Sequence, residues 1–285
     1  MSARARGQLM KAVAVCLLLL VPYGGKRADV PVPPGVWKHL GQPKDGEWLD
    51  QYREEGQTFA EYKASAARPP AARTTLYVVP MLTRPATDPG LPERVRASLA
   101  AFYGRPAKLL EPRAIPLRAY NRRRRQVHIT GLARAVAARR PKDALITVAV
   151  TDRDLYSKGL NYVQGWGSER LGVAIVSTAR VWQSADPAGS RRRLLAMAVH
   201  EAGHVLAMKH CTFYRCLMNG VATRDEEHRR PLLLCPVCRS KLLWALQLDT
   251  HERYGAWARY LRGQGLEKDA RLVDRAAAAT RKASH

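Results

Sequence analysis

Residues 191–211 read RRRLLAMAVHEAGHVLAMKHC. From Arg191 to Met208 the apolar positions recur at helical spacing and no proline interrupts them, which predicts one long helix. His200 and His204 fall four residues apart on it, about 400° around the axis, so both rings leave the same face one turn apart. Two imidazole nitrogens placed in this way can reach a single Zn²⁺ at about 2.0–2.1 Å. Glu201 lies beside that face, where its carboxylate can reach a water on the ion without ligating it. Taken alone, the same pattern also describes two histidines on a partly buried helix face.

His210 raises the content of the motif. On a continuing helix it would lie about 9 Å further along the axis and about 120° around it, out of reach of the same ion. A three-histidine site therefore requires the chain to leave the helix near Ala207 and turn back. The left-handed backbone that makes such a turn suits glycine, and in alanine it costs about 1 kcal/mol, a cost metal bonds can outweigh.

Four cysteines follow at once: Cys211, Cys216, Cys235 and Cys238. The two-residue gap of Cys235-Pro-Val-Cys238 lets both sulfurs face one tetrahedral ion, and Cys211 with Cys216 supplies a second pair. A four-thiolate zinc site is one reading; two disulfides are the other, favoured if the chain is exported. Because His210 and Cys211 are neighbours, a cysteine-bound zinc would fix the loop that carries the third histidine.

Upstream, strands are expected at 74–80, 107–115, 145–150 and 171–177, and helices at 92–102 and 126–139. This alternation implies an α/β fold with a mostly parallel sheet and helices on both faces. Residues 159–167 are glycine-rich and polar, and read either as an exposed loop or as a sheet edge beside the cleft that could pair with an extended peptide. Trp166, Tyr162 and Tyr214 are candidates for its wall. Downstream, 241–261 reads as helical and the alanine-rich tail as frayed.

Residues 26–73 are proline-rich with a short helical stretch around 48–63, an extension expected to wrap the main domain. Residues 1–25 carry Arg4, Arg6 and Lys11, then the apolar run Ala12 to Val21 with Cys16 inside it, then Pro22 and glycines. This is the form of a signal peptide and is short for a membrane span. It predicts export or an uncleaved anchor, with a cytoplasmic chain as the alternative. The organisation expected is thus leader 1–25, extension 26–73, catalytic domain 74–262 and charged tail 263–285.

The 285 residues hold 48 Lys or Arg against 24 Asp or Glu, a formal charge of +24, with 46% hydrophobic residues. That composition excludes a chain dominated by disorder. The arginine runs 122–125 and 191–193 read as solvated helix faces or as a polyanion-binding surface, and no nucleic-acid recognition signature accompanies them.

The full motif, His200-Glu201-x-x-His204-x-x-Ala207-x-x-His210-Cys211, then Cys216-Leu217-Met218 and Cys235-x-x-Cys238, resembles the archaemetzincins, as do the stretches 151–166 and 229–238. Ala207 stands where that family has glycine. The resemblance covers about residues 74–262 and implies a metzincin-like α/β catalytic domain: a mixed, mostly parallel sheet, a backing helix, a zinc-binding active-site helix, and a C-terminal subdomain with a four-cysteine zinc site. It implies two Zn²⁺ per chain. His200, His204 and His210 would hold a catalytic ion, and Cys211, Cys216, Cys235 and Cys238 a structural one. Glu201 would be the base and Met218 an apolar floor beneath the histidines. The activity implied is hydrolysis of peptide bonds in peptide or protein substrates. Two other classes share these residues: a non-catalytic zinc-structured binding module, and a zinc hydrolase of non-peptide substrates. No specific nucleic-acid partner is expected, a membrane only if the leader is retained, and nothing in the sequence sets an oligomeric state.

Overall fold

The computed structural model describes residues 26–85, 88–181, 186–248 and 250–282. The leader lies outside them. Two short helices, α1 (Trp48–Gln51) and α2 (Phe59–Ser65), lie in the proline-rich extension. The main domain follows with β1 (Thr75–Met81), α3 (Leu91–Tyr103), β2 (Ala107–Leu109), β3 (Tyr120–Asn121), β4 (Gln126–His128), α4 (Ile129–Ala137) and β5 (Ala144–Thr151). Then come β6 (Leu155–Ser157), β7 (Leu160–Val163), β8 (Gly165–Ser168), β9 (Val173–Ser177) and α5 (Pro187–Val205). The C-terminal part holds α6 (Arg224–Arg229), α7 (Pro236–Leu246), α8 (Thr250–Gly263) and α9 (Glu267–Lys282). Among the described residues no helix is long and apolar enough to cross a membrane.

The main sheet has the order β2-β1-β5-β9-β8. Its first four strands run parallel, and β8 closes the edge antiparallel to β9. Strand alternation sends Leu76, Val78, Ile146, Val148 and Val176 to one face, where α3 and α5 pack, and Val79, Ala149, Val173 and Ile175 to the other, which α4 covers. The helices on both faces bury both sides of the sheet, which is why β1, β5 and β9 are mostly apolar and buried throughout. A smaller sheet, β3-β4-β6-β7, stands beside it.

Several boundaries differ from the sequence reading, each for a local reason. The helix expected from residue 126 opens as β4, because Val127 pairs with Tyr120 and Leu155 before the chain turns helical at Ile129. The second strand stops at Leu109. Of the two readings of 159–167 the sheet edge holds: the stretch forms β7 and most of β8, set by backbone pairing to β6 and β9. Gln247 adopts a left-handed conformation (φ 51°) and splits the expected 241–261 helix into α7 and α8. The tail is not frayed: α9 buries Ala270, Val273, Ala276 and Ala277, and Asp269 pairs with Arg192 of α5 at 2.9 Å.

The extension lies along residues 206–215. Lys38 O accepts from Arg215 N (2.8 Å), Leu40 N donates to Phe213 O (3.1 Å), and the buried Tyr62 hydroxyl donates to Leu206 O (2.6 Å). Leu206 is where α5 has just ended. Ala207 N donates to His204 O (3.1 Å), Met208 N donates to Gly203 O (3.2 Å), and Ala207 has φ 60°. This is a Schellman stop with an alanine in the left-handed position that glycine normally fills. Relief of the Cβ strain, less the extra unfolded-state entropy of glycine, makes Ala207→Gly more stable by up to about 0.6 kcal/mol. Denaturant unfolding of the two proteins at equal metal occupancy checks this.

Candidate metal centre

The reversal at Ala207 brings His210 back to the helix face. The ring centroids of His200, His204 and His210 lie 4.7, 5.3 and 5.0 Å apart, and one nitrogen from each falls within 4.8 Å of the others. The hydrogen bonds say which nitrogens these are. His200 Nδ1 donates to Leu217 O (2.9 Å) and His204 Nδ1 to Met208 O (2.7 Å). A carbonyl only accepts, so both Nδ1 atoms carry the proton and both Nε2 atoms present a lone pair. Those two lone pairs face each other at 3.0 Å. Without a cation between them that contact is repulsive.

Burial, and then the charge of His204, hold His200 well below the ordinary imidazole range; burial and then His210 bring His204 down to about 4. Both rings are therefore neutral at pH 7, the form that ligates. The third ring, His210, has Nδ1 on the Glu54 carboxylate at 2.9 and 3.0 Å. The donor set fits Zn²⁺: three imidazole nitrogens, the number found in zinc sites whose fourth ligand is water.

Glu201 is buried beside His200, and that burial pushes its carboxyl up to about 8, with Arg230 opposing. It lies against the edge strand. A Cβ on Gly165 would fall 2.5 Å from Glu201 Oε1, and one on Gly167 would fall 2.2 Å from Glu201 O and 2.7 Å from His204 Cβ. The two glycines of β8 thus let the strand lie directly on the active-site helix, while Trp166 between them points to the opposite face and packs with the core there. Nothing in the sequence marks this role, since GWG reads equally as a loop.

Met218 is buried against α5 at Gly203. A Cβ on Gly203 would meet its Sδ at 2.7 Å, so the glycine inside the HEAGH motif makes room for the thioether. Leu217 and Met218 are held in turn by Asn219. Its side chain accepts from Cys216 N (2.7 Å) and donates to Cys211 O (2.7 Å) and Tyr214 O (2.9 Å), locking loop 211–219 from within.

Cys211, Cys216, Cys235 and Cys238 are free thiols, all buried, with sulfurs within 4.8 Å of one another and Cys211 Sγ 3.6 Å from Cys235 Sγ. The disulfide reading has no counterpart here. Cys216 Sγ accepts from Met218 N (3.4 Å) and Cys235 N (3.2 Å), and Cys235 and Cys238 lie at the N-terminus of α7, whose dipole favours thiolate. Burial pushes the Cys216 and Cys235 thiols well up; at Cys211 hydrogen bonds from the other three sulfurs outweigh that burial and bring it down. In this apolar setting a divalent cation is what lets the sulfurs ionise together.

Of the aromatic cleft-wall candidates, Tyr214 is buried against His39 (4.6 Å), and Tyr162 on β7 is half exposed under the Arg180 guanidinium (3.9 Å). With Trp166, all three are accounted for by packing. Sequence reading missed Glu54, Asn219 and the glycines of β8.

The chain is similar to several known proteins. The model for "Peptidase family M54" matches residues 138–243. The archaemetzincin of Archaeoglobus fulgidus is 32% identical over 145 residues, covering 51% of this chain and 86% of that protein. Archaemetzincin-2 of Homo sapiens is 27% identical over 265 residues, covering 78% of this chain and 73% of that one. The crystal structure of the Archaeoglobus fulgidus protein complexed with malonate superposes with a TM-score of 0.50 at 29% identity, over 59% of this chain and 99% of that one. That of the Methanopyrus kandleri archaemetzincin gives 0.52 at 25% identity, over 63% and 99%. On these likenesses the chain belongs to the archaemetzincin family and is a zinc metallopeptidase.

Proposed function

We propose that the enzyme cleaves peptide bonds with Glu201 as its general base and acid, and that it holds two zinc ions. The observation that carries this is the convergence of three imidazoles whose Nδ1 atoms are all tied to acceptors, beside a buried carboxylate on the same helix. His200, His204 and His210 would hold the catalytic ion through Nε2, and the four cysteines the structural one. Zinc bound there polarises a carbonyl and brings the pKa of water to about 7. Glu201 takes the proton from the attacking water at a carboxylate oxygen and returns it to the leaving amine. Its burial between α5 and β8 keeps that proton from solvent, and Gly165 leaves the space in which the carboxylate moves. The leader supports export or retention at a membrane.

Glu201→Ala should bind zinc as wild type does and lose about 10²–10⁴-fold in kcat on a mixed peptide library, with the wild-type cleavage abolished by chelator. Equal cleavage by both proteins would reject Glu201 as the base; no chelator-sensitive cleavage by wild type would favour the non-catalytic module.

Gly165→Ala should lower kcat with the metal retained, because the new methyl displaces the Glu201 carboxylate and leaves the histidines in place. Metal content and turnover measured on one preparation decide it.

The two ligand clusters share a loop, Cys211 N donating to Met218 O at 2.8 Å. Cys238→Ser should therefore loosen the histidine-bound zinc as well as the cysteine-bound one, read by chelator competition at the histidine site.

A further inference from the structure

The three histidines are oriented by different means. His200 and His204 each give their Nδ1 proton to a backbone carbonyl of the segment that follows them, Leu217 and Met208. His210, the one ligand off the helix, gives its proton to a carboxylate 156 residues away, with Glu54 Oε1 and Oε2 at 3.0 and 2.9 Å. The same ring meets the edge of Trp48 at 4.9 Å and 84°, and Trp48 is itself seated over Gly220, where a Cβ would fall 2.3 Å from the indole Cδ1.

The segment bearing Glu54 is fixed to the loop that bears His210. Gln57 Oε1 accepts from Lys209 N at 3.3 Å, and Lys241 Nζ, fully buried, donates to Gln57 O and Oε1. Thr212 Oγ1 donates to Glu55 O at 3.4 Å, and Gly56, at φ 75°, lies where any Cβ would strike the Thr212 hydroxyl. By contrast, the neighbouring Glu55 carboxylate points outward and pairs with Lys26 at 3.1 Å on the surface.

From this we infer that Glu54 is a positioning residue of the catalytic centre: its carboxylate holds the His210 tautomer and ring plane, directs Nε2 at the ion and strengthens that nitrogen as a ligand. The inference rests on His210 being a zinc ligand. A carboxylate on the outer nitrogen of a ligating histidine makes the ring a better donor than a carbonyl does, and loss of such a partner costs about 10–100-fold in metal affinity. The proline-rich extension thereby completes the metal site rather than decorating the domain.

The test is cobalt(II) titration of the full chain after its exchangeable metal has been removed. The d–d bands of imidazole-bound cobalt and the thiolate charge-transfer bands of cysteine-bound cobalt report the two sites separately. Glu54→Ala should weaken the imidazole site by about 10–100-fold, Glu54→Gln should fall between it and wild type because its amide oxygen still accepts the proton, and Glu55→Ala should match wild type. The thiolate bands should be unchanged in all three. Unaltered imidazole-site affinity in Glu54→Ala overturns the proposal, as does parallel weakening of both sites or tighter binding with faster turnover, which would make Glu54 a blocking group. His210→Ala separates the two levels: if it loses imidazole-bound cobalt and Glu54→Ala does not, only the role of Glu54 fails; if it binds as wild type does, the ligand set fails with it.

Discussion

Two imidazoles one turn apart on a helix offer half of a tetrahedral site, and in this protein the Nε2 lone pairs of His200 and His204 face each other at 3.0 Å. The third imidazole, that of His210, joins them only because the backbone reverses within two residues of the end of α5, with Ala207 at φ 60°. Everything that defines the centre is arranged around this reversal. Gly203 and His204 supply the carbonyls that close the Schellman stop, Met208 O then fixes the tautomer of His204, and the Tyr62 hydroxyl binds the carbonyl of Leu206 just before the turn. A left-handed alanine costs about 1 kcal/mol, small beside the several interactions that converge upon it.

The protein makes its metal ligands by controlling protons. Neutral imidazole, with the proton held on Nδ1, and thiolate are the forms that bind zinc; packing produces the first, while the second needs the charge of the cation as well. Burial keeps His200 and His204 neutral, carbonyl acceptors choose their tautomer, and amide N–H groups together with the start of α7 favour thiolate among the four cysteines. Glu201 belongs to the same scheme. Enclosed between α5 and an edge strand that has no side chain at Gly165, its carboxyl is pushed up to about 8 by burial, and the charge of a bound dication is what would return it to the carboxylate form.

The loop that carries His210 is held from two sides. From below, Asn219 and the cysteine cluster lock residues 211–219, which present Met218 to Gly203 and Leu217 O to His200. From the outside, the extension runs along residues 206–215 and sets the Glu54 carboxylate on His210. Rigidity at the third ligand thus comes from chain far from the motif in sequence, one part before the sheet and one after the active-site helix.

The sequence by itself determined what local periodicity and spacing can carry: the helix with His200 and His204 on one face, the need for a turn at Ala207, the paired cysteine gaps, and the apolar strands of the sheet. These follow from 3.6-residue and two-residue repeats and from the fixed bite of a metal ion, all short-range constraints. What only the tertiary structure decided rests on contacts between distant segments. Gly165 and Gly167 read equally as loop or sheet-edge glycines until β8 is laid against α5, the tail reads as frayed until α9 finds α8 and Arg192, and Glu54 is one acid among many until the extension folds over His210. A hydrogen bond between residues 156 positions apart leaves no periodic trace, because its partners are chosen by packing of the whole chain and not by their neighbours in sequence.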